Sequence, residues 1–206
     1  MAIRTGMQTL VDRLRALTGA GTAEYNAGTI TYWSDNHLQD ALDGNATRIG
    51  SLQLTWEPEV VGGGTIEYYS AVAGWKDFEG AESGTTQWVI RDSVGGIIGT
   101  ANYTADYRTG RIRFTADQEG SAYYLTGYTY DIHAAAADLW DERLTNFTSY
   151  YDCRSENQTL SRSQVYDHAT QQALKMRQRS GQNKPGGGDL QPGLFVRTDI
   201  RGNYYE

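Results

Sequence analysis

The side chains able to do chemistry are few in this chain, and they stand apart. Its three histidines, His37, His133 and His168, lie in separate segments. None forms the pair four residues apart with which one helix face holds a metal. Each reads as an ordinary surface or interface residue. The single cysteine, Cys153, has no partner for an intrachain disulfide. Arg154 beside it would favour a thiolate, but its polar surroundings read more simply as those of a bystander. Glu57 and Glu59 flank Pro58, and Asp77 and Glu79 flank Phe78. A glycosidase needs two carboxylates, yet carboxylates two apart on an exposed strand usually form a solvated face. The glycine-rich segments lack the Lys-Ser/Thr ending or the strand-to-helix setting of a phosphate loop, and no Gly-x-Ser-x-Gly elbow is present. The expectation is a chain that is not an enzyme, with no catalytic residue, metal or cofactor.

Aromatics supply the remaining chemistry, with 15 Tyr and 5 Trp. Trp56, Trp75, Trp88, Tyr68 and Tyr69 could stack on sugar rings, which would make a carbohydrate- or receptor-binding module. A wall-degrading hydrolase is a weaker alternative. The favoured reading is that these rings fill a small sheet core and a seam between subunits, where Tyr and Trp are enriched.

The elements that position these residues follow from hydrophobic period. Met7, Leu10, Val11, Leu14 and Leu17 recur at spacings of three and four, predicting a helix over residues 5–18 that stops at Gly19. Residues 29–33 form a short extended piece. Ser34 then has the hydroxyl of an N-cap, with Asp35 in the favourable first turn and Leu38, Ala41 and Leu42 on one apolar face. Between residues 48 and 128 the period changes to two. Strands are predicted at 51–56, 65–73, 86–91, 97–105, 111–116 and 121–129, with turns at 62–64, 95–96 and 108–110. The helical period returns from Asp131 through Ile132, Ala136, Leu139, Trp140, Leu144 and Phe147. Ser161-Arg162-Ser163-Gln164 has the form of a capping box ahead of Val165, Ala169, Ala173 and Met176. The stretch 183–189 reads as too flexible and polar to pack.

The predicted class is α+β: a helical bundle interrupted by an inserted antiparallel sheet, as a sandwich or open barrel, with an extended C-terminal arm. The bundle spans residues 1–47 plus 129–180, its core built on Leu10, Leu14, Leu38, Leu42, Leu139, Trp140, Leu144 and Val165. The inserted β domain spans 48–128. Residues 181–206 form a linker and a docking arm that carries Leu194, Phe195, Val196, Ile200, Tyr204 and Tyr205.

Charge and size bound the partners. The chain has 206 residues and a net charge of −7, with residues 21–130 alone carrying −8. No segment clusters Lys and Arg as phosphate binding requires, so tight DNA binding is not expected, whereas an acidic wall beside passing DNA is compatible with the balance. No apolar run is long enough to span a bilayer, and the opening Met1-Ala-Ile-Arg-Thr5 lacks the apolar stretch of a signal peptide. Synthesis in the cytoplasm and no membrane contact are expected.

Three places carry a family resemblance: Ser34-Asp-Asn-His-Leu-Gln-Asp-Ala-Leu-Asp43, Tyr128-Thr-Tyr-Asp-Ile-His-Ala-Ala-Ala-Ala-Asp-Leu-Trp140, and Ser161-Arg-Ser-Gln164. With the first helix they fall in or at the edge of residues 1–47 and 129–180, about half the chain, and their order resembles the head-tail adaptor, or connector, proteins of long-tailed phages. The resemblance implies a structural subunit of the virion neck. It implies a homo-oligomeric ring expected to hold twelve copies, binding the portal protein on one side and a downstream neck or tail-terminator protein on the other. DNA would pass through without specific binding.

Overall fold

A computed structural model of the chain describes residues 3–19, 25–27, 30–81, 87–147, 154–155, 158–159 and 162–185. Four helices and two principal antiparallel sheets give an α+β fold.

Helix α1 (Gln8–Thr18) follows a 3-10 turn at Thr5–Met7, and its stripe of Met7, Leu10, Val11 and Leu14 is buried. A two-stranded ribbon, β1 (Tyr25–Ala27) with β2 (Ile30–Tyr32), leads to α2 (Asp35–Gly44). The Ser34 hydroxyl caps α2 by accepting from the His37 amide at 3.3 Å, satisfying one of the unpaired amides of the first turn. Helix α3 (Ile132–Phe147) packs against α1, α2 and α4 (Arg162–Arg179). Ala135, Ala136 and Ala137 of α3, with Ala169 and Ala173 of α4, are buried in the helical core, where their short side chains let helices approach closely. All four helices share one core with Trp33, Leu38, Leu42, Tyr130, Leu139 and Trp140. At its rim the Arg143 guanidinium lies 5.2 Å from the Trp33 ring and 5.1 Å from the Trp140 ring.

The strands form a three-stranded sheet in the order β3 (Ala46–Gln53), β9 (Tyr124–Tyr130), β6 (Trp88–Arg91). A four-stranded sheet has the order β4 (Thr55–Val61), β5 (Thr65–Val72), β8 (Arg111–Phe114), β7 (Tyr103–Asp106). The alternate positions Ile112 and Phe114 of β8, Tyr103 of β7, Ile90 of β6 and Leu125 of β9 point into a second core common to both sheets. Two further strands, β10 (Arg154–Ser155) and β11 (Gln158–Thr159), pair antiparallel.

Several expectations are corrected. The strand read at 51–56 is two strands, because at Leu54 the chain crosses from one sheet to the other, its amide donating to the Tyr123 carbonyl at 2.9 Å. The 97–105 strand shrinks to β7, preceded by a 3-10 turn at Thr100–Asn102. Residues 181–185, expected to be unpacked linker, are docked. The Gly181 amide donates to Asp131 Oδ2 at 2.5 Å, the Asn183 carbonyl accepts from the Lys76 amide at 3.0 Å, and the Asn183 side chain is buried against Thr129. Composition missed this because the binding is done by backbone groups and one amide, not by apolar side chains.

Candidate functional site

The side chains first considered for chemistry do not converge. His37 meets Glu142 at 2.8 Å, His168 lies edge-on to Trp140, and His133 sits at the start of α3. Among the described residues no group of three His, Cys, Asp or Glu could hold a metal ion, and no helix is long and apolar enough to cross a membrane. Cys153 lies outside the described residues. Glu57 and Glu59 face Arg111 and Arg113 across β5, at 2.6 and 2.9 Å. The hydroxyl of Ser70, and then Arg113, hold the Glu59 carboxyl below its ordinary value, so it is an ionised partner and not a proton donor. These exposed pairs are screened by solvent and hold little of the fold.

The tryptophans of the candidate set pack on other rings. Trp88 is buried, edge-on to Phe78 and Tyr107 at 5.0 and 4.9 Å. Trp56 stands edge-on to Tyr68 and Tyr123, and its indole donates to the Ser121 carbonyl at 2.8 Å. Trp75 packs on the same core. Perpendicular rings of this kind are favoured in a packed interior. A sugar needs the opposite, coplanar faces open to water.

The second acidic pair overturns an expectation. Glu79, expected on a solvated face, is 1% exposed. Arg4 Nε donates to it at 2.8 Å and the Tyr130 hydroxyl at 2.5 Å, while the Arg4 Nη atoms reach Asp43 at 2.5 and 2.9 Å and the Arg4 amide donates to Gln39 Oε1 at 2.9 Å. The Asp43 hydrogen bond, against the penalty of burial, raises the Arg4 pKa. Burial and then Glu79 raise that of Tyr130. One ionic cluster therefore ties the N-terminal segment, α2, β9 and the segment that follows β5. Gly6 and Gly80 cross at the same point. The Gly80 amide donates to the Gly6 carbonyl at 3.0 Å, and a Cβ on Gly6 would stand 2.4 Å from the Gly80 carbonyl oxygen. Nothing local in the sequence announces the cluster, since Arg4 and Glu79 lie 75 residues apart.

The predicted core residues Leu10, Leu14, Leu38, Leu42, Leu139 and Trp140 are buried together, and Leu144 packs at their edge. The side chain of Val165, in the first turn of α4, lies outside what is described. So do Ser161 and the arm residues Leu194, Phe195, Val196, Ile200, Tyr204 and Tyr205. The described surface has its exposed large apolar residues in three places: Val60, Val61 and Ile66 on the β4–β5 hairpin, Val94 and Ile97 after β6, and Tyr166 and Leu174 on α4. The triple glycine at 62–64 between Val61 and Ile66 is the sequence sign of the first.

His133 carries a pH dependence. Burial lowers its pKa, with Arg179 and Arg13 acting in the same sense against Asp131 and Asp77. The unfolded chain takes up this proton first as pH falls below about 6.5, so the native state loses stability over that window and gains nothing from this group above it. His133→Leu is expected to flatten the fall in melting temperature between pH 7 and pH 5, by at most about 1.4 kcal/mol per pH unit. An unchanged slope would show that the ring is protonated equally well in the folded chain.

No family model, curated protein or solved structure matches the chain.

Proposed function

We propose that the chain is a non-enzymatic structural subunit of a tailed-phage neck, a head-tail adaptor that works as one copy in a homo-oligomeric ring. The observation that carries this reading is that the first two segments bearing the family resemblance and the helix that follows the third meet in one helical core. Leu38 and Leu42 from the first, Tyr130, Ile132, Leu139 and Trp140 from the second, and Ala169 and Ala173 from the helix opened by the third are buried in contact. On this reading residues 1–47 and 129–180 are the ring-forming bundle, 48–128 are a domain inserted into it, and the arm beyond Pro185 reaches the portal or a neighbouring protomer. A downstream neck or tail-terminator protein binds the opposite side. The excess of carboxylates in 21–130 suits a passage through which DNA moves without sticking, because like charge repels the phosphates. The site of action is the head-tail interface of the virion, after assembly in the host cytoplasm.

Electron microscopy of particles, with native mass measurement of the purified chain, tests this reading. A closed ring at the portal vertex and a mass that is an integer multiple of 22.9 kDa are expected. In the same particles, deletion of residues 190–206 is expected to abolish attachment to portal-containing heads. A vertex without this chain would refute the assignment, and unchanged attachment after the deletion would refute the role of the arm.

A further inference from the structure

Strand β7 lies at the edge of its sheet, with β8 as its one neighbour there. The register fixes where its backbone points. The Thr115 amide donates to the Asn102 carbonyl at 3.0 Å, so Asn102, Thr104 and Asp106 turn their amides and carbonyls to β8. Tyr103 and Ala105, between them, turn theirs to the open side. Past β7 that side is covered: the Tyr107 carbonyl accepts from the Phe78 amide at 2.8 Å, and the Arg108 carbonyl from the Asp77 amide at 3.0 Å. The covering segment then turns away, and the Gly80 amide donates to the Gly6 carbonyl instead. A groove of about 370 Å³ opens beside Ala105, with Leu10, Phe78, Ala81 and Tyr107 as its apolar lining. That size is within the ~300 to 1,000 Å³ of ligand pockets. An open strand edge beside an apolar hollow is where an extended segment can add as a further strand.

The described chain ends close by, at Pro185. The Pro185 ring lies against Gly74, its Cγ 3.9 Å from where a Cβ on Gly74 would stand. Beside Gly74, the Ala73 amide donates to the Gly110 carbonyl at 2.9 Å. Ala105 is five residues from Gly110 along the chain, hence at most about 18 Å away. Residues 186–195 span up to ~33 Å when extended, so Phe195 reaches the groove with slack. Phe195 and Val196 favour a strand, and with Leu194 they form an apolar run. Residues 82–86, which follow Ala81 at the groove, are Glu-Ser-Gly-Thr-Thr and have no large apolar side chain to fill it.

We propose that the C-terminal arm docks in this groove of its own chain, Leu194, Phe195 and Val196 adding to β7 as an antiparallel edge strand. Phe195 stands opposite Ala105 and exchanges backbone hydrogen bonds with it. Its ring turns the same way as the Ala105 side chain, toward the core that contains Phe78. The contact holds the arm on its own chain before a partner is met, and release frees both the arm and the β7 edge. The inference goes beyond the ring reading, which concerns the arm once it has left the groove.

Cysteine pairing in the full-length chain tests the contact. Thr104→Cys and Val196→Cys are combined in a Cys153→Ser background and mildly oxidised. In the proposed register these two positions are neighbours across the new strand pair, and Ala105 and Phe195 stay in place. A disulfide within one chain is expected, seen as monomer on a non-reducing gel with the two peptides linked after digestion. As an independent measurement, the Ala105 amide is expected to exchange its hydrogen at least about tenfold faster in Phe195→Asp than in the parent. Circular dichroism checks that each variant is folded. Equal exchange in the two chains, or no link between the cysteines, overturns the docking. A link formed only between chains, as dimers, also overturns it, since the groove then takes the arm of another copy. None of these results decides the ring reading, which stands or falls on the closed ring at the vertex.

Discussion

Replacing Arg4 with methionine is expected to lower the melting temperature by about 5 to 10 °C, equivalent to about 2 to 3 kcal/mol for a chain of this size. The substitution keeps most of the aliphatic stem but leaves the Glu79 carboxylate, whose side chain is 2% exposed, with the Tyr130 hydroxyl in place of a cation. Stripping the partner from a fully buried ion typically costs about 3 to 5 kcal/mol. The smaller figure applies because the Arg4 side chain is itself 32% exposed, so water takes part of its place. Adding Glu79→Gln to Arg4→Met removes the orphaned charge and is expected to recover most of the loss. Asp43→Asn, at the solvent end of the cluster, should change stability by less than about 1 kcal/mol. Thermal melts of the two single variants and the double variant separate these cases. A neutral Arg4→Met would mean that the cluster does not hold the N-terminal segment in place.

Gly110→Ala is expected to be as damaging or worse, at about 3 kcal/mol or more, because two effects add. The residue has a φ of +71°, which an L side chain tolerates poorly, and the new Cβ would stand 2.2 Å from the Trp75 carbonyl oxygen and 3.1 Å from the Phe78 ring. That oxygen belongs to backbone that cannot swing aside as a side chain would. Gly63→Ala isolates the first effect. Its φ is +88° with nothing within 4 Å of the added carbon, so about 1 kcal/mol of conformational strain is all that should appear. Urea denaturation of both variants measures the difference. Equal midpoints would show that the segment after β5 yields freely at Trp75.

The unequal legibility of this chain in its sequence has physical causes. Helices α1, α2 and α3 are readable because each buries a stripe at a spacing of three and four, and the Ser34 cap is a local interaction within one turn. The crossing at Leu54 is invisible because Leu52, Leu54 and Trp56 keep a strict alternation through it. Both sheets face the same core, so the period survives a change of sheet. The segment 76–79 has no periodic pattern, yet it lies between β9 and the turn joining β7 to β8. The Phe78 amide donates to the Tyr107 carbonyl at 2.8 Å and the Glu79 amide to the Tyr128 carbonyl at 3.1 Å. Its burial depends on partners dozens of residues away, as does that of Asn183. Among the exposed apolar residues, Val60 and Ile66 look in sequence like any inner-face strand positions. Their exposure shows only in the fold.

Helix and sheet are joined by single residues. Asn45 alone separates α2 from β3, and Asp131 alone separates β9 from α3. The two joints are adjacent: the Asp131 amide donates to the Asn45 carbonyl at 3.2 Å, Asn45 Nδ2 reaches Asp138 at 2.8 Å, and Asp131 Oδ1 takes the Ala134 amide at 2.9 Å. Such coupled struts leave no hinge. A force applied to the far end of the sandwich is carried along β3 and β9 straight into the helices, so the chain behaves as a stiff lever whose angle is fixed when it folds.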